Sequence, residues 1–277
     1  IRVQTQPGDD VIVESRSHIV RYEQGAAAAL AGVQLHWVTG QRGLLDAPQI
    51  EAAIRPKDPY APRTALICLE NTHNSGGGSI YPLSAIEQIR KLAQAHGIPM
   101  HLDGARLFNA VAATGIPASA YARHFETVSF CFSKGLGAPV GSVIGSDRPT
   151  VERLRRFRRM YGGGLRQAGI LAAAGIYALE HNLARLKEDH EHARRLALTL
   201  QKIPTVSIDV AGVETNIVIF ELQHAPRPAA AILSDLQREG VLISTLGGNT
   251  FRAVTHLDVA SQDIDTAGQV LTQVLSH

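Results

Sequence analysis

Short, continuous apolar runs alternate with amphipathic stretches in this sequence, and this alternation constrains its fold more than any other feature. Residues 65–69 are apolar throughout, which is typical of a strand buried on both faces of a sheet. Residues 84–96 have the apolar spacing of a helix and are followed by Gly97. Because such segments alternate, we predict an α/β fold with a mainly parallel sheet. Further strands are predicted at residues 11–13, 99–102, 127–132 and 142–144, and a further helix at residues 19–31.

The pattern changes after Arg148. An arginine-rich helix is predicted at residues 151–160, three glycines follow it, and a long helical stretch covers residues 167–201. Shorter strands and two further helices make up the remainder, which is typical of a small α+β domain. We therefore predict a large domain over residues 1–180 and a small C-terminal domain over residues 181–277, with the long helix as the bridge between them.

The composition excludes several classes of protein. Of the 277 residues, 45% are hydrophobic and 19% are charged, a balance that excludes an intrinsically disordered chain. A net charge of +2 does not indicate binding to nucleic acid or to a membrane surface. The longest uncharged apolar run, residues 168–179, is too short to span a bilayer, and we expect no secretory leader. Two cysteines in strand-like runs predict core thiols, so we predict a cytoplasmic protein without nucleic-acid or membrane partners.

Polar clusters flanked by glycine follow three of the predicted strands, at residues 70–78, 103–106 and 133–137. In an open parallel sheet, ligands bind beyond the carboxyl ends of the strands. We therefore predict a single ligand site where these three clusters meet.

Within this group, Lys134 and Asp103 indicate the chemistry of the site. The chain has 5 lysines against 22 arginines, and only Lys134 both follows an apolar strand and precedes glycines. A desolvated lysine amine can form a Schiff base, although a surface lysine at a strand end is the alternative. Asp103 follows a predicted strand and lies 31 residues before Lys134, where its carboxylate can face a pyridinium nitrogen or cap the following helix. Together they predict pyridoxal 5'-phosphate as the cofactor.

Three other patterns are weaker. The glycines at residues 135–141 lack the spacing of a dinucleotide-binding loop and lead into a strand rather than a helix. His190 and His192 are two positions apart on a predicted helix and face different directions, which argues against a metal site. The arginines at residues 153–159 fit a helix face near an anionic ligand or a subunit partner better than a nucleic-acid patch, because the whole chain is nearly neutral.

An ordered set of motifs also runs through the chain. From the amino terminus they are HIxxYE at 18–23, ENTHN at 70–74, HLDGARLFN at 101–109, SKGLGAPVG at 133–141, GGGLRQ at 162–167 and RAVTHLD at 252–258. The ordered set closely resembles the bacterial low-specificity L-threonine aldolases, pyridoxal-phosphate enzymes with an aspartate-aminotransferase-like fold. The resemblance implies cleavage of L-threonine or L-allo-threonine to glycine and acetaldehyde by a homo-oligomer, a tetramer or a dimer.

The resemblance assigns roles to the residues that match these motifs. Lys134 would carry the Schiff base with pyridoxal phosphate, and Asp103 would pair with the pyridine nitrogen. His18 would stack on the ring and take part in deprotonating the substrate hydroxyl. Arg106 and Arg252 would bind the substrate carboxylate, because a guanidinium group matches a carboxylate with two hydrogen bonds.

Further residues have roles at the edge of the site. Tyr22 would line the substrate pocket, while Arg106 and Arg166 would help to bind the cofactor, Arg166 near its phosphate and from the same or a neighbouring subunit. Tyr60 stands where the family usually has a histidine on the hydroxyl side of the substrate, and we expect Tyr60 to contact substrate there.

The resemblance also leaves alternatives open. The family's opening segment, with the Ser-Gly-Thr loop that holds the cofactor phosphate at a helix N-terminus, has no match in this sequence. One alternative is another lyase of β-hydroxy or β-substituted amino acids, such as a phenylserine aldolase or a β-eliminating enzyme. The other is an inactive remnant that only oligomerises.

Overall fold

Six strands form one sheet in the computed structural model, which describes residues 1–223 and 227–276. In chain order they are β1 (Asp10–Glu14), β2 (Gln34–Val38), β3 (Thr64–Glu70), β4 (Met100–Asp103), β5 (Thr127–Cys131) and β6 (Ser142–Ser146). Their order across the sheet is β2-β1-β3-β4-β5-β6, with the first five parallel and β6 antiparallel to β5. The prediction of an α/β fold with a mainly parallel sheet is therefore confirmed.

Helices connect the strands, cover both faces of the sheet and continue the chain after β6. They are α1 (His18–Arg21), α2 (Ala47–Ala53), α3 (Leu83–His96), α4 (Leu107–Thr114), α5 (Ala118–Ala122), α6 (Arg148–Met160) and α7 (Gly169–His181). All seven residues of β3 are buried. Successive side chains of a strand point to opposite faces, so Ile67 packs with Ile86 of α3, whereas Leu66 packs with Ala27 on the other face. A strand covered on both sides has no solvent-facing position, which explains its uninterrupted apolar sequence.

The helix predicted at residues 19–31 is wrong. The chain forms the short α1, then a turn, then a π-helical turn at Ala27–Ala31. Gln24 and Gly25 have φ angles of 52° and 74°, in the left-handed region, which interrupts a right-handed helix.

The single long helix predicted at residues 167–201 is also wrong. Two helices occupy this stretch, α7 and α8 (Leu186–Leu200). Between them, the Asn182 side chain donates a hydrogen bond from Nδ2 to the Leu136 carbonyl at 2.7 Å. The break therefore ties the end of α7 to the loop that follows β5.

A second, antiparallel sheet lies in the C-terminal part of the chain. Its strands are β7 (Val206–Ser207), β8 (Ile217–Leu222), β9 (Ser244–Gly247) and β10 (Thr250–Val254), in the order β7-β8-β10-β9. It packs with α8, α9 (Ala229–Arg238) and α10 (Ser261–Leu275) around a hydrophobic core separate from that of the first sheet. The domain boundary between residues 180 and 181 stays a prediction. Every helix in the described part of the chain is too short or too polar to cross a lipid bilayer.

Candidate active site

The carboxyl ends of β3, β4 and β5 lie side by side. Glu70, the last residue of β3, is in register with Asp103, the last residue of β4, and Asp103 is in register with Ser129 of β5. The Asp103 carboxylate accepts the backbone N–H of Ala105 at 3.2 Å, so it is held at the start of the loop that leads to α4. The three polar clusters found in the sequence therefore begin at one edge of the sheet.

Lys134 lies in the loop after β5 and lines a cavity of about 370 Å³. The opposite wall of this cavity is the loop at residues 254–258, which belongs to the C-terminal part of the chain. A Cβ at Gly135 would lie 2.8 Å from Leu186 Cδ2, and a Cβ at Gly137, where φ is +72°, would lie 2.6 Å from Leu257 Cδ2. A side chain at either position would have to displace a leucine, and at Gly137 the positive φ also favours glycine.

Arg106 and Arg252 meet at the side chain of Asn74. The Asn74 Oδ1 atom accepts hydrogen bonds from Nη1 of Arg106 at 3.3 Å and from Nη2 of Arg252 at 2.9 Å. Burial, together with the charge of Arg252, lowers the pKa of Arg106 to about 10, and burial lowers that of Arg252. The Nε atoms of both arginines are buried and have no hydrogen-bond partner among the described residues. Two buried guanidinium groups with unused donors are suited to binding an anion, and a carboxylate matches their geometry.

His18 lies at the start of α1 with its ring 5.0 Å from that of Tyr22. Its Nδ1 atom is 2.7 Å from Glu23 Oε1. Because a carboxylate can only accept, Nδ1 carries the proton and Nε2 is left as the acceptor. The backbone N–H of His18 donates to Glu70 Oε2 at 2.7 Å, so β3 fixes the position of this histidine.

Asn216 lines the same cavity as Lys134. Its Nδ2 atom donates to the Thr255 carbonyl at 3.0 Å, which determines the orientation of the carboxamide. The Oδ1 atom is buried and has no hydrogen-bond partner. The cavity thus has an unused acceptor as well as the unused donor on Arg106.

Two predicted site residues lie elsewhere. Tyr60 is 96% exposed, in the loop before β3. This is the amino-terminal edge of the sheet, opposite the edge that carries Lys134, so a contact between Tyr60 and substrate would require a second copy of the chain. Arg166 lies in the exposed segment between α6 and α7. The structure brings together Lys134 with Arg106, Arg106 with Arg252, and His18 with Tyr22. Tyr60 and Arg166 lie apart from these pairs.

The sequence did not assign roles to Glu70, Asn74 and Asn216. Glu70 and Asn74 lie in the polar cluster after β3, so their position was predicted, but the pattern gives no sign of which side chains they meet. Asn216 directly precedes the apolar strand β8. A polar amide next to a buried strand is the signal that indicates such a residue.

The side chains at this edge fit pyridoxal phosphate and an amino-acid substrate. An amine and a carboxylate follow adjacent strands, as this cofactor requires, and the unpartnered Nε atoms of Arg106 and Arg252 fit a substrate carboxylate. Burial raises the pKa of Cys131, at the end of β5. The charge of Lys134 lowers this pKa in part, and the charge of Asp103 raises it. Lys134 and Asp103 therefore both lie close enough to Cys131 to influence its thiol.

Comparison with known sequences gives a consistent result. The sequence profile of the beta-eliminating lyase family matches residues 1–224. A probable low-specificity L-threonine aldolase from Arabidopsis thaliana is 40% identical over 262 residues, which cover 93% of this chain and 74% of the relative.

Comparison with solved structures concerns the fold alone. A threonine aldolase from Leishmania major superposes with a TM-score of 0.83 at 18% identity and covers 99% of this chain and 80% of its own. A mutant of aspartate aminotransferase from Thermus thermophilus superposes with a TM-score of 0.71 at 16% identity and covers 99% and 76%. The prediction of an aspartate-aminotransferase-like fold is confirmed.

Proposed function

Since this chain belongs to the low-specificity L-threonine aldolases within the beta-eliminating lyase family, we propose that it cleaves the Cα–Cβ bond of L-threonine and L-allo-threonine to give glycine and acetaldehyde. The observation that carries this proposal is the pair of buried, partly unpartnered guanidinium groups of Arg106 and Arg252. Arg106 lines the cavity that holds Lys134, so a carboxylate bound there lies next to the amine.

Pyridoxal 5'-phosphate, when bound, supplies an electron-withdrawing ring that stabilises the negative charge left on Cα. Lys134 is the amine that would hold the cofactor covalently, and Asp103 is the carboxylate that would keep a proton on the ring nitrogen. The glycines after Lys134 allow its loop to pack against Leu186 and Leu257 in the C-terminal part of the chain.

Arg106 and Arg252 hold the substrate carboxylate and so orient the bond that breaks. His18 would accept the proton of the β-hydroxyl on Nε2, directly or through a water molecule, because Glu23 occupies the Nδ1 side. Tyr22 packs near His18 and would restrict the space beside the hydroxyl. Loss of that proton is what allows the Cα–Cβ bond to break and acetaldehyde to leave.

The assembly and location of the chain are part of the same proposal. We propose a homo-oligomer, a tetramer or a dimer, and support for it comes from exposed apolar side chains on the α6–α7 side: Leu165 is 65% exposed, Ile170 79% and Tyr177 61%. In such an assembly Arg166 and Tyr60 would reach the site of a neighbouring copy. A cytoplasmic location is consistent with the two free cysteines, Cys68 and Cys131.

The proposal is tested by incubating the protein with L-threonine and pyridoxal phosphate. We expect glycine and acetaldehyde in equal amounts, the latter measured with an NADH-coupled alcohol dehydrogenase. Absence of acetaldehyde, or release of ammonia and a keto acid instead, would contradict the proposal. The variant Lys134→Ala should lose both the activity and the visible absorbance of the bound cofactor, and an unchanged band would overturn the assignment of the lysine.

A further inference from the structure

Asn74 contributes the atom that joins the two arginines of the site. Its Oδ1 lies 3.3 Å from Arg106 Nη1 and 2.9 Å from Arg252 Nη2. Arg106 follows β4 of the six-stranded sheet, whereas Arg252 is on β10 of the four-stranded sheet. One carboxamide oxygen therefore sets the distance between two guanidinium groups that come from different sheets.

The position of Asn74 is itself fixed. Its backbone N–H donates to Glu70 Oε1 at 2.7 Å, and its carbonyl accepts the N–H of Gly77 at 3.3 Å. The preceding residue, His73, is fully buried, and its ring accepts the N–H of Gly76 at 3.0 Å and lies 3.1 Å from Glu14. The loop therefore presents the Asn74 side chain from a rigid backbone, and Asn74 itself is only 9% exposed.

The charge at this point is unusual. Within residues 1–223 and 227–276, neither Arg106 nor Arg252 forms an ion pair with a carboxylate. Burial and the charge of Arg252 lower the pKa of Arg106, and the charge of the nearby Glu70 opposes this only in part. Both oxygen atoms of the Glu70 carboxylate accept backbone N–H groups. A carboxylate in place of Asn74 would stabilise two buried like charges, yet the residue is neutral. The site thus forgoes this stabilisation and retains its positive charge.

The hydrogen bonds to Asn74 leave the Nε–H group of each guanidinium unused. Arg106 bonds through Nη1, and its Nε is buried without a partner. Arg252 bonds through Nη2, and its Nε is likewise without a partner. A carboxylate binds a guanidinium group through neighbouring N–H groups, and the asparagine orients both arginines while leaving both Nε–H groups for the substrate.

We propose that Asn74 is the positioning residue of the substrate-carboxylate site, an uncharged acceptor that holds Arg106 and Arg252 together while leaving their net charge for the substrate. This inference rests on the proposed function only for the identity of the ligand, an α-amino acid. An acceptor of the same shape with a charge, as in Asn74→Asp, would compete with the substrate carboxylate for both arginines.

The test measures the melting temperature and the affinity for glycine, which the variant Asn74→Asp should change in opposite directions. In the protein without cofactor, Asn74→Asp should raise the melting temperature, because it adds a carboxylate between two buried cations. In the holoenzyme, the same variant should bind glycine at least about tenfold more weakly, as measured by titrating the absorbance of the bound cofactor. The matched control is Asn249→Asp, an exposed position in the turn between β9 and β10, which should leave glycine affinity unchanged.

Two further measurements keep the result decisive. Asn74→Ala removes the acceptor without adding charge and should weaken glycine binding and also lower the melting temperature of the apoprotein. Ethanolamine, which lacks the carboxylate, should be bound equally by wild-type protein and both variants. The inference is overturned if Asn74→Asp binds glycine within about twofold of wild type, or if it destabilises the apoprotein. Failure of the proposed function would show differently, as a wild-type holoenzyme that releases no acetaldehyde from L-threonine.

Discussion

Glu70 holds His18 in place: its Oε2 atom accepts the His18 backbone N–H at 2.7 Å. The other oxygen of the same carboxylate accepts the N–H of Asn74, also at 2.7 Å. Burial raises the pKa of Glu70. One buried carboxylate at the end of β3 therefore positions both the proposed proton acceptor and the loop that organises the two arginines.

Replacing Glu70 with glutamine should disrupt this arrangement. The NH₂ group of a glutamine side chain cannot accept a hydrogen bond. The backbone N–H of either His18 or Asn74 would therefore be buried without a partner. We expect Glu70→Gln to lower the free energy of unfolding by about 1–3 kcal/mol and to lower kcat/KM for L-threonine. Urea denaturation and steady-state kinetics measure the two effects, with the exposed Glu87→Gln on α3 as control. Unchanged values for both would contradict the role given to Glu70.

The arginines should not tolerate lysine. Arg252→Lys keeps the charge but loses the planar fork, so the substrate carboxylate is held by a single point charge. We expect KM for L-threonine to rise by about tenfold or more, with a smaller change in kcat. The control is Arg155→Lys on the exposed face of α6, where the arginine pairs with Glu152. A KM equal to that of wild type would remove Arg252 from the carboxylate site.

The sequence predicts features that depend on the local residue pattern more accurately than features that depend on distant contacts. The strand predicted at residues 65–69 is observed at Thr64–Glu70, because burial on both faces leaves a continuous apolar run. The two long helices were wrong, since composition does not reveal the left-handed residues at Gln24 and Gly25 or the side-chain bond of Asn182.

The candidate site shows the same limit. The polar clusters could be placed at one sheet edge because parallel strands end together. The bond between Asn74 and Arg252 could not be predicted, because these residues are 178 positions apart and only the packing of the two sheets brings them together. Tyr60 was assigned by resemblance, which transfers a position in the sequence but does not reveal that this residue lies exposed at the opposite edge of the sheet.

The contribution of Glu14 to the free energy of unfolding should depend on pH. Burial alone would raise its pKa, but the hydrogen bond from His73 and the N–H groups of Arg16 and Gly40 outweigh burial and lower the pKa to about 2, from 4.5. The folded state therefore favours the charged form, and this stability is present above pH 4.5 and is lost as pH falls towards 2. In urea denaturation, Glu14→Gln should cost roughly 3 kcal/mol at pH 7 and progressively less below pH 4.5. A cost that is independent of pH would contradict this prediction.

His190 should make the free energy of unfolding depend on pH over a higher pH range than Glu14 does. Burial lowers the pKa of His190 to about 4, from 6.5, and its Nε2 lies 3.1 Å from the buried Asn109 side chain. Between these two values the unfolded chain takes up a proton that the folded chain does not, so stability falls as pH decreases from 6.5 to 4. Glutamine at position 190 can still bond to Asn109 but does not titrate, so His190→Gln should flatten this dependence. Some slope should remain, because burial also lowers the pKa of His101 to about 4. The exposed His96→Gln is the control, and a slope in His190→Gln as steep as in wild type would refute the prediction.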